Sequence, residues 1–116
     1  MKIVVGGGRF LDKRALVFAA LDAIHFEEPI TRVAHGGCEG ADALADEWAE
    51  TRGIDRQPYF ADWKRYGNPA GPIRNQEMLE AERPDAVIAL PGGRGTKNLV
   101  ERARMMGLRI IKVEGG

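Results

Sequence analysis

Nine of the fifteen glycines fall in three clusters, Gly6-Gly7-Gly8, Gly36-Gly37 with Gly40, and Gly92-Gly93 with Gly95. Each cluster stands directly after a short apolar run and directly before a segment with helical periodicity. Glycine admits positive φ and lets a ligand approach bare N–H groups, while the helix that follows brings free amides and the positive end of its dipole, so three such loops either cradle an anion or are simply tight turns that need glycine. A chain with three such turns is constrained to an alternation of strands and helices with its glycine loops on one edge. Apolar runs start near residues 2, 30, 55, 86 and 109, with one helix expected between each pair. That alternation predicts right-handed crossovers and a parallel sheet.

The details follow from pattern. Ile3-Val4-Val5 is β-branched and bounded by glycine, which suits a central strand covered on both faces. Asp12 is the expected cap of a helix whose apolar face is made by Leu16, Ala19, Ala20 and Ala23, with Phe18, Leu21 and Ile24 beside them, up to His25. Ile30 to Ala34 reads as the second strand, and a helix from Ala41 to about Arg52 packs Leu44, Ala45 and Trp48 before Gly53 stops it. Arg56 to Phe60 is a more polar strand at an edge, followed by a long loop from Ala61 to Gly71. Pro72 belongs to the first turn of a helix carrying Ile73, Met78 and Leu79. Ala86 to Leu90 is the fourth strand. Thr96 is the expected cap of a helix with Leu99, Val100, Ala103 and Met106 that ends at Gly107, and Arg109 to Val113 is the last strand. The reading is a single-domain, Rossmann-like, doubly wound α/β fold over residues 1–116, with a five-stranded sheet in the order 3-2-1-4-5 and a ligand crevice between strands 1 and 4.

Composition narrows the function. Seventeen basic and seventeen acidic side chains cancel to zero net charge, which argues against coating nucleic acid through a whole-surface field. The longest uncharged apolar stretch, Ala15 to Leu21, is too short to cross a bilayer. At 12.7 kDa the size law predicts burial of about two thirds of the open-chain surface. Met1 and Lys2 run straight into Ile3-Val4-Val5 without the apolar core of a secretory signal, so a cytoplasmic location is expected. One cysteine, Cys38, forms no internal disulfide, and no zinc spacing is visible, so neither a metal nor a cofactor is expected. The glycine patterns fit neither Walker A, which needs Gly-Lys-Ser or Gly-Lys-Thr, nor the dinucleotide fingerprint.

Charge near the glycine edge is nevertheless uneven, because Arg9, Lys64, Arg65, Arg74, Arg94 and Lys97 lie in or beside the expected loops. Arg74 and Arg94, next to helix starts, are the best phosphate partners. Trp63 and Tyr66 either cover a base or cap the sheet edge. Asp42 either contacts a ribose hydroxyl or stabilises its own helix start. His35 is a candidate for proton transfer or a partner for nearby backbone, and Cys38 is either a thiol activated by a helix end or a passive one. Met105 and Met106 suit a helix core or a subunit contact.

Five ordered motifs carry a resemblance. Gly7-Gly8-Arg9, the run from His35 to Asp42, Asp62-Trp63, the run from Ala70 to Asn75, and Pro91-Gly92-Gly93-Arg94-Gly95-Thr96 together resemble the SLOG superfamily, specifically its YspA-like branch. The resemblance spans nearly the whole chain. It implies a Rossmann-like module that binds nucleotides or nucleotide-derived signals; the superfamily includes the LOG phosphoribohydrolases, the DNA-processing protein DprA and antiphage sensor domains. By this resemblance, Gly92, Gly93, Gly95 and Thr96 hold a phosphate with Arg74 and Arg94. Gly7, Gly8 and Arg9 line the sugar or base side, Gly36, Gly37 and Asp42 complete the rim, and Trp63 and Asn75 belong to the same set. A homo-oligomer is expected.

LOG enzymes add a glutamate three residues after the motif threonine, where this chain has Leu99, and Glu101 lies about 200° further round the helix. Glu77, one turn beyond Arg74, either substitutes for that acid, pairs with the arginine or faces solvent. Binding without cleavage is therefore expected. A phosphoribohydrolase and a DprA-like single-stranded DNA binder are the two alternatives.

Overall fold

The computed structural model describes residues 1–115. Its elements run β1 (Lys2–Gly6), α1 (Arg14–Glu27), β2 (Arg32–His35), α2 (Ala41–Thr51), β3 (Asp55–Pro58), α3 (Trp63–Tyr66), α4 (Ala70–Glu82), β4 (Ala86–Ala89), α5 (Arg94–Met105) and β5 (Arg109–Lys112). All strand pairs are parallel, in the order β3-β2-β1-β4-β5. This is the predicted doubly wound, Rossmann-like fold.

Alternation along β1 separates the two cores. Ile3 and Val5 face one layer with Val17, Leu21, Ala45 and Trp48 from α1 and α2. Val4 faces the other, with Met78 and Leu79 from α4 and Leu99 and Ala103 from α5. Trp48 is fully buried, and its indole N–H reaches solvent-side Asp22 at 2.9 Å, so burial leaves no polar atom stranded. No helix among the described residues is long and apolar enough to cross a membrane.

Five local expectations need correction. Asp12 does not cap α1: the N-cap position is Lys13, without a side-chain cap bond, because the first helical bond runs from Val17 N–H to the Lys13 carbonyl. The buried stripe of α1 is Val17 and Leu21, while Ala19 and Ala23 are exposed; larger side chains spaced i, i+4 cover more sheet than alanines do. The segment 61–71 is not all loop. Asp62 accepts the Arg65 N–H at 3.1 Å and Gly67 closes the turn at φ 64°, giving the one-turn helix α3, and α4 already begins at Ala70. Thr96 does not cap α5, because Gly93 occupies that position and Thr96 lies within the first turn. The second strand also starts two residues later than Ile30, at Arg32, since Thr31 N–H is held by the Met1 carbonyl before the β1 register begins at Lys2 and Arg32.

Candidate ligand cleft at the carboxyl edge of the sheet

The loops after β1, β2 and β4 are tied to one another through Gly8. Its N–H donates to the Pro91 carbonyl at 2.8 Å, and its carbonyl accepts from both Leu11 (3.2 Å) and Ala41 (3.0 Å). This packing explains the glycines. A Cβ on Gly7 would stand 2.5 Å from the Ala41 Cβ and 2.8 Å from the Leu90 Cβ, and a Cβ on Gly40, which has φ 71°, would strike the Gly8 carbonyl oxygen at 2.4 Å. Only bare backbone fits where three turns converge.

Above this knot lies a cleft of about 450 Å³. Eleven of the fourteen residues expected at a ligand border it: Gly7, Gly8 and Arg9 from the first loop, Gly36 and Asp42 from the second, Arg74 and Asn75 from α4, and Gly93, Arg94, Gly95 and Thr96 at the start of α5. The other three stand outside the lining. Gly37 has φ 68° and packs under the Phe60 ring, Gly92 backs onto Thr96 and Gly8, and Trp63 packs beside Gly71. Sequence reasoning missed Phe10, which is 90% exposed at the cleft mouth, and the apolar floor of Val5, Met78 and Leu99. Its place directly after Arg9 in a glycine loop was the available signal for Phe10. The floor residues carry no signal beyond ordinary core periodicity.

The amino end of α5 forms one side of the wall. Its N-cap, Gly93, has no side chain, and the first helical bond joins Lys97 N–H to the Gly93 carbonyl, so the N–H groups of Arg94, Gly95 and Thr96 have no helical acceptor. Beside them the Thr96 hydroxyl is buried without any hydrogen-bond partner among the described residues. Gly92 makes room for it, since a Cβ there would come within 2.2 Å of Oγ1.

Opposite this turn, Arg74 is fixed at three points. Nη1 donates to the carbonyls of Gly36 (2.7 Å) and Tyr59 (3.2 Å), and Nε donates to Asn75 Oδ1 at 3.0 Å. The Asn75 amide is buried and donates in turn to Asn98 Oδ1 at 3.1 Å and towards the Gly95 carbonyl at 3.5 Å. One asparagine thus couples the arginine of α4 to the first turn of α5. Arg9 and Arg94 border the same cleft and have no acceptor among the described residues.

The β2 loop is braced from within. Asp42 is 7% exposed and its Oδ2 accepts the N–H groups of Gly36 (3.1 Å) and Cys38 (3.3 Å). Burial pushes this carboxyl above the ordinary aspartate value; the amide from Cys38, the charges of His35 and Arg74, and the amide from Gly36 pull the other way. His35 is also engaged. Its Nδ1 accepts the Gly37 N–H at 3.0 Å, which leaves Nε2 as the protonated nitrogen facing Asp46 Oδ1 at 2.8 Å. Cys38 Sγ points to the Gly36 carbonyl at 3.7 Å.

On the floor, Leu99 is 3% exposed, and its Cδ2 occupies the space beside Gly6 where a Cβ would stand 2.5 Å away. The position that carries a glutamate in LOG enzymes is here part of the apolar core.

Known proteins agree with this architecture. The model of the YspA, cpYpsA-related SLOG family matches residues 1–66, which hold the first two glycine loops. Gene 61 protein of Mycobacterium phage D29 is 35% identical over 118 residues, covering 95% of this chain and 94% of the phage protein. Among solved structures, DNA processing protein A (DprA) from Streptococcus pneumoniae has a TM-score of 0.78 at 19% identity, over 99% of this chain. The chain spans 50% of DprA, and at that identity the likeness is one of fold. With a family match over more than half its length and a full-length relative in the phage protein, the chain belongs to the YspA, cpYpsA-related SLOG family.

Proposed function

We propose that the protein binds a nucleotide or nucleotide-derived small molecule in the cleft between β1 and β4, and does not cleave it. The carrying observation is the first turn of α5, which borders the cleft with three amides that have no helical acceptor and holds the buried, partnerless Thr96 hydroxyl in the same turn. A phosphate placed there gains charge-assisted hydrogen bonds and the favourable end of the dipole, together with the nearby guanidinium of Arg74. Phe10 at the mouth supplies a stacking face for a base, a contact worth about 1–3 kcal/mol in comparable sites. The apolar floor of Val5, Met78 and Leu99 offers a packing surface to the less polar part of such a ligand.

Binding without turnover is supported by the acid inventory. Asp42 is the one carboxylate bordering the cleft among the described residues, and its Oδ2 holds two backbone amides. Departure of a base needs a proton donor beside it, and Leu99 stands where the LOG glutamate would be. The lone thiol of Cys38 agrees with a reducing, cytoplasmic setting. Met105, 89% exposed on α5, is the natural centre of a self-association face.

The test is native mass spectrometry of freshly purified protein, followed by calorimetry with nucleoside monophosphates. A co-purified nucleotide, or saturable heat lost in Thr96→Val, is expected. Absence of both would overturn the reading. Release of free base would replace it with a phosphoribohydrolase, and affinity for oligonucleotides that falls steeply with salt would replace it with single-stranded DNA binding.

A further inference from the structure

A chain of side-chain hydrogen bonds runs between α4 and α5. Arg74 Nε donates to Asn75 Oδ1 at 3.0 Å, Asn75 Nδ2 donates to Asn98 Oδ1 at 3.1 Å, and Arg102 Nε donates to that same Asn98 oxygen at 3.0 Å. Arg102 continues through Nη1 to Gln76 Oε1 at 3.1 Å, and Gln76 Nε2 donates to Glu80 at 2.7 Å. Of these residues only Arg74 and Asn75 border the cleft. Gln76, Asn98 and Arg102 line a separate groove with Glu101, Met105 and Met106.

The chain has one consistent direction. A guanidinium only donates, whereas a side-chain amide donates from one end and accepts at the other. With Arg102 as a donor at the far end, Asn98 must turn its oxygen inward, and Asn75 must offer that oxygen its NH2 group. The Asn75 oxygen is then left for Arg74. A reversed Asn75 would set its NH2 group against the Arg74 Nε–H. Asn75 is 4% exposed, so a bond lost there is not made good by bulk water.

The quantity fixed in this way is the aim of Arg74. Nε is held by Asn75, and Nη1 is held by the carbonyls of Gly36 and Tyr59, which leaves Nη2 as the nitrogen without an acceptor among the described residues. From this network the geometry points to Arg102 as a positioning residue for the cleft. It stands outside the cleft lining, locks the Asn98 and Asn75 amides, and through them sets the plane of the Arg74 guanidinium and the direction of Nη2. The effect on ligand affinity rests on the nucleotide-binding reading; the effect on Arg74 does not.

The experiment follows the Arg74 Nε–H signal and its solvent exchange by nitrogen-15 NMR, together with AMP affinity by calorimetry. Arg102→Leu and Asn98→Ala each break the chain at one link. Asn98→Asp keeps the oxygen that both neighbours use, and Arg104→Leu removes an exposed arginine of the same helix that has no partner among the described residues. In the two breaking variants the Nε–H is expected to exchange about tenfold faster, the size of one charge-assisted hydrogen bond, with AMP affinity falling in step. Asn98→Asp and Arg104→Leu are expected to match the unaltered protein. An Nε–H signal unchanged in both breaking variants overturns the assignment. Faster exchange spread equally over the backbone amides of α4 and α5 also overturns it, since that marks a packing role alone. So does exchange in Asn98→Asp as fast as in Asn98→Ala, or a changed signal with unaltered AMP affinity. If AMP does not bind the unaltered protein, the nucleotide reading fails, and the Arg74 signal still decides whether Arg102 orients it.

Discussion

Arg74 and Gly36 are joined across the cleft by a 2.7 Å hydrogen bond from Nη1 to the glycine carbonyl, so the strongest fixed charge near the ligand space is held by the backbone of a glycine turn. A Cβ on Gly36 would stand 2.6 Å from that same nitrogen, and only glycine lets the guanidinium settle there. Arg74→Ala is accordingly expected to weaken nucleotide affinity about tenfold or more, in line with loss of a charge-assisted contact. Arg74→Lys is expected to restore little, since an ammonium cannot hold Gly36, Tyr59 and Asn75 at once. Calorimetry with AMP checks both.

Two glycines three residues apart are expected to respond in opposite directions. A Cβ at Gly92 meets Thr96 Oγ1 at 2.2 Å and the Gly8 nitrogen at 2.6 Å, so Gly92→Ala should cost about 1–3 kcal/mol of stability. Gly95 lies inside α5 with nothing within 4 Å of a Cβ, and Gly95→Ala should raise stability by up to about 1 kcal/mol. Urea denaturation of the two variants reads the difference directly.

Two buried acids titrate with opposite consequences. The Arg32 hydrogen bonds, at 2.8 and 3.1 Å, hold Glu82 below the ordinary carboxylate range, with help from Tyr59 and against burial. A lowered acid stabilises the fold above its unfolded value, about 4.3, and that contribution is lost as pH falls through the lowered folded value. Asp42 is raised by burial, so its contribution is most favourable in acid and declines as pH rises from about 4 through its folded value. Glu82→Gln should therefore be less stable than the unaltered protein at pH 7, by about 1–3 kcal/mol, with the gap closing in acid. Asp42→Asn, which keeps an oxygen acceptor for Gly36 and Cys38, should gain relative stability as pH rises. Thermal melts across the acid range test both signs.

His35 should be found as a single tautomer. The Gly37 amide donates to Nδ1, so the proton of the neutral ring belongs on Nε2, facing Asp46. Nitrogen-15 NMR at mildly alkaline pH is expected to show the Nε2–H form, and Asp46→Leu should broaden or mix the signals. Retention of one sharp Nε2–H signal in that variant would show that Asp46 does not orient the ring.

The sheet order and the edge that bears the cleft were legible because β-branched runs, glycine clusters and helix stops repeat with one spacing along the chain. Ile3-Val4-Val5 announced a strand buried on both sides, and both core layers indeed divide across it. Capping was less legible. Asp12 and Thr96 have the right chemistry for caps, yet the loop knot at Gly8 fixes where α1 can start, and Gly93 takes the N-cap ahead of Thr96. A one-turn helix such as α3 is too short to show periodicity, and only Asp62 and Gly67 mark its ends. The role of Asp42 as a brace on Gly36 and Cys38 lay beyond reach, because it depends on a bend that brings residues six and four positions apart together.

Because Gly8 fastens three crossover turns with one amide and one carbonyl, none of them can lengthen alone: an inserted residue in any would have to be absorbed by the other two. Diversification of what this scaffold recognises is thereby channelled away from loop length and onto replaceable side chains at the rim, with Arg9 and Phe10 the first in line.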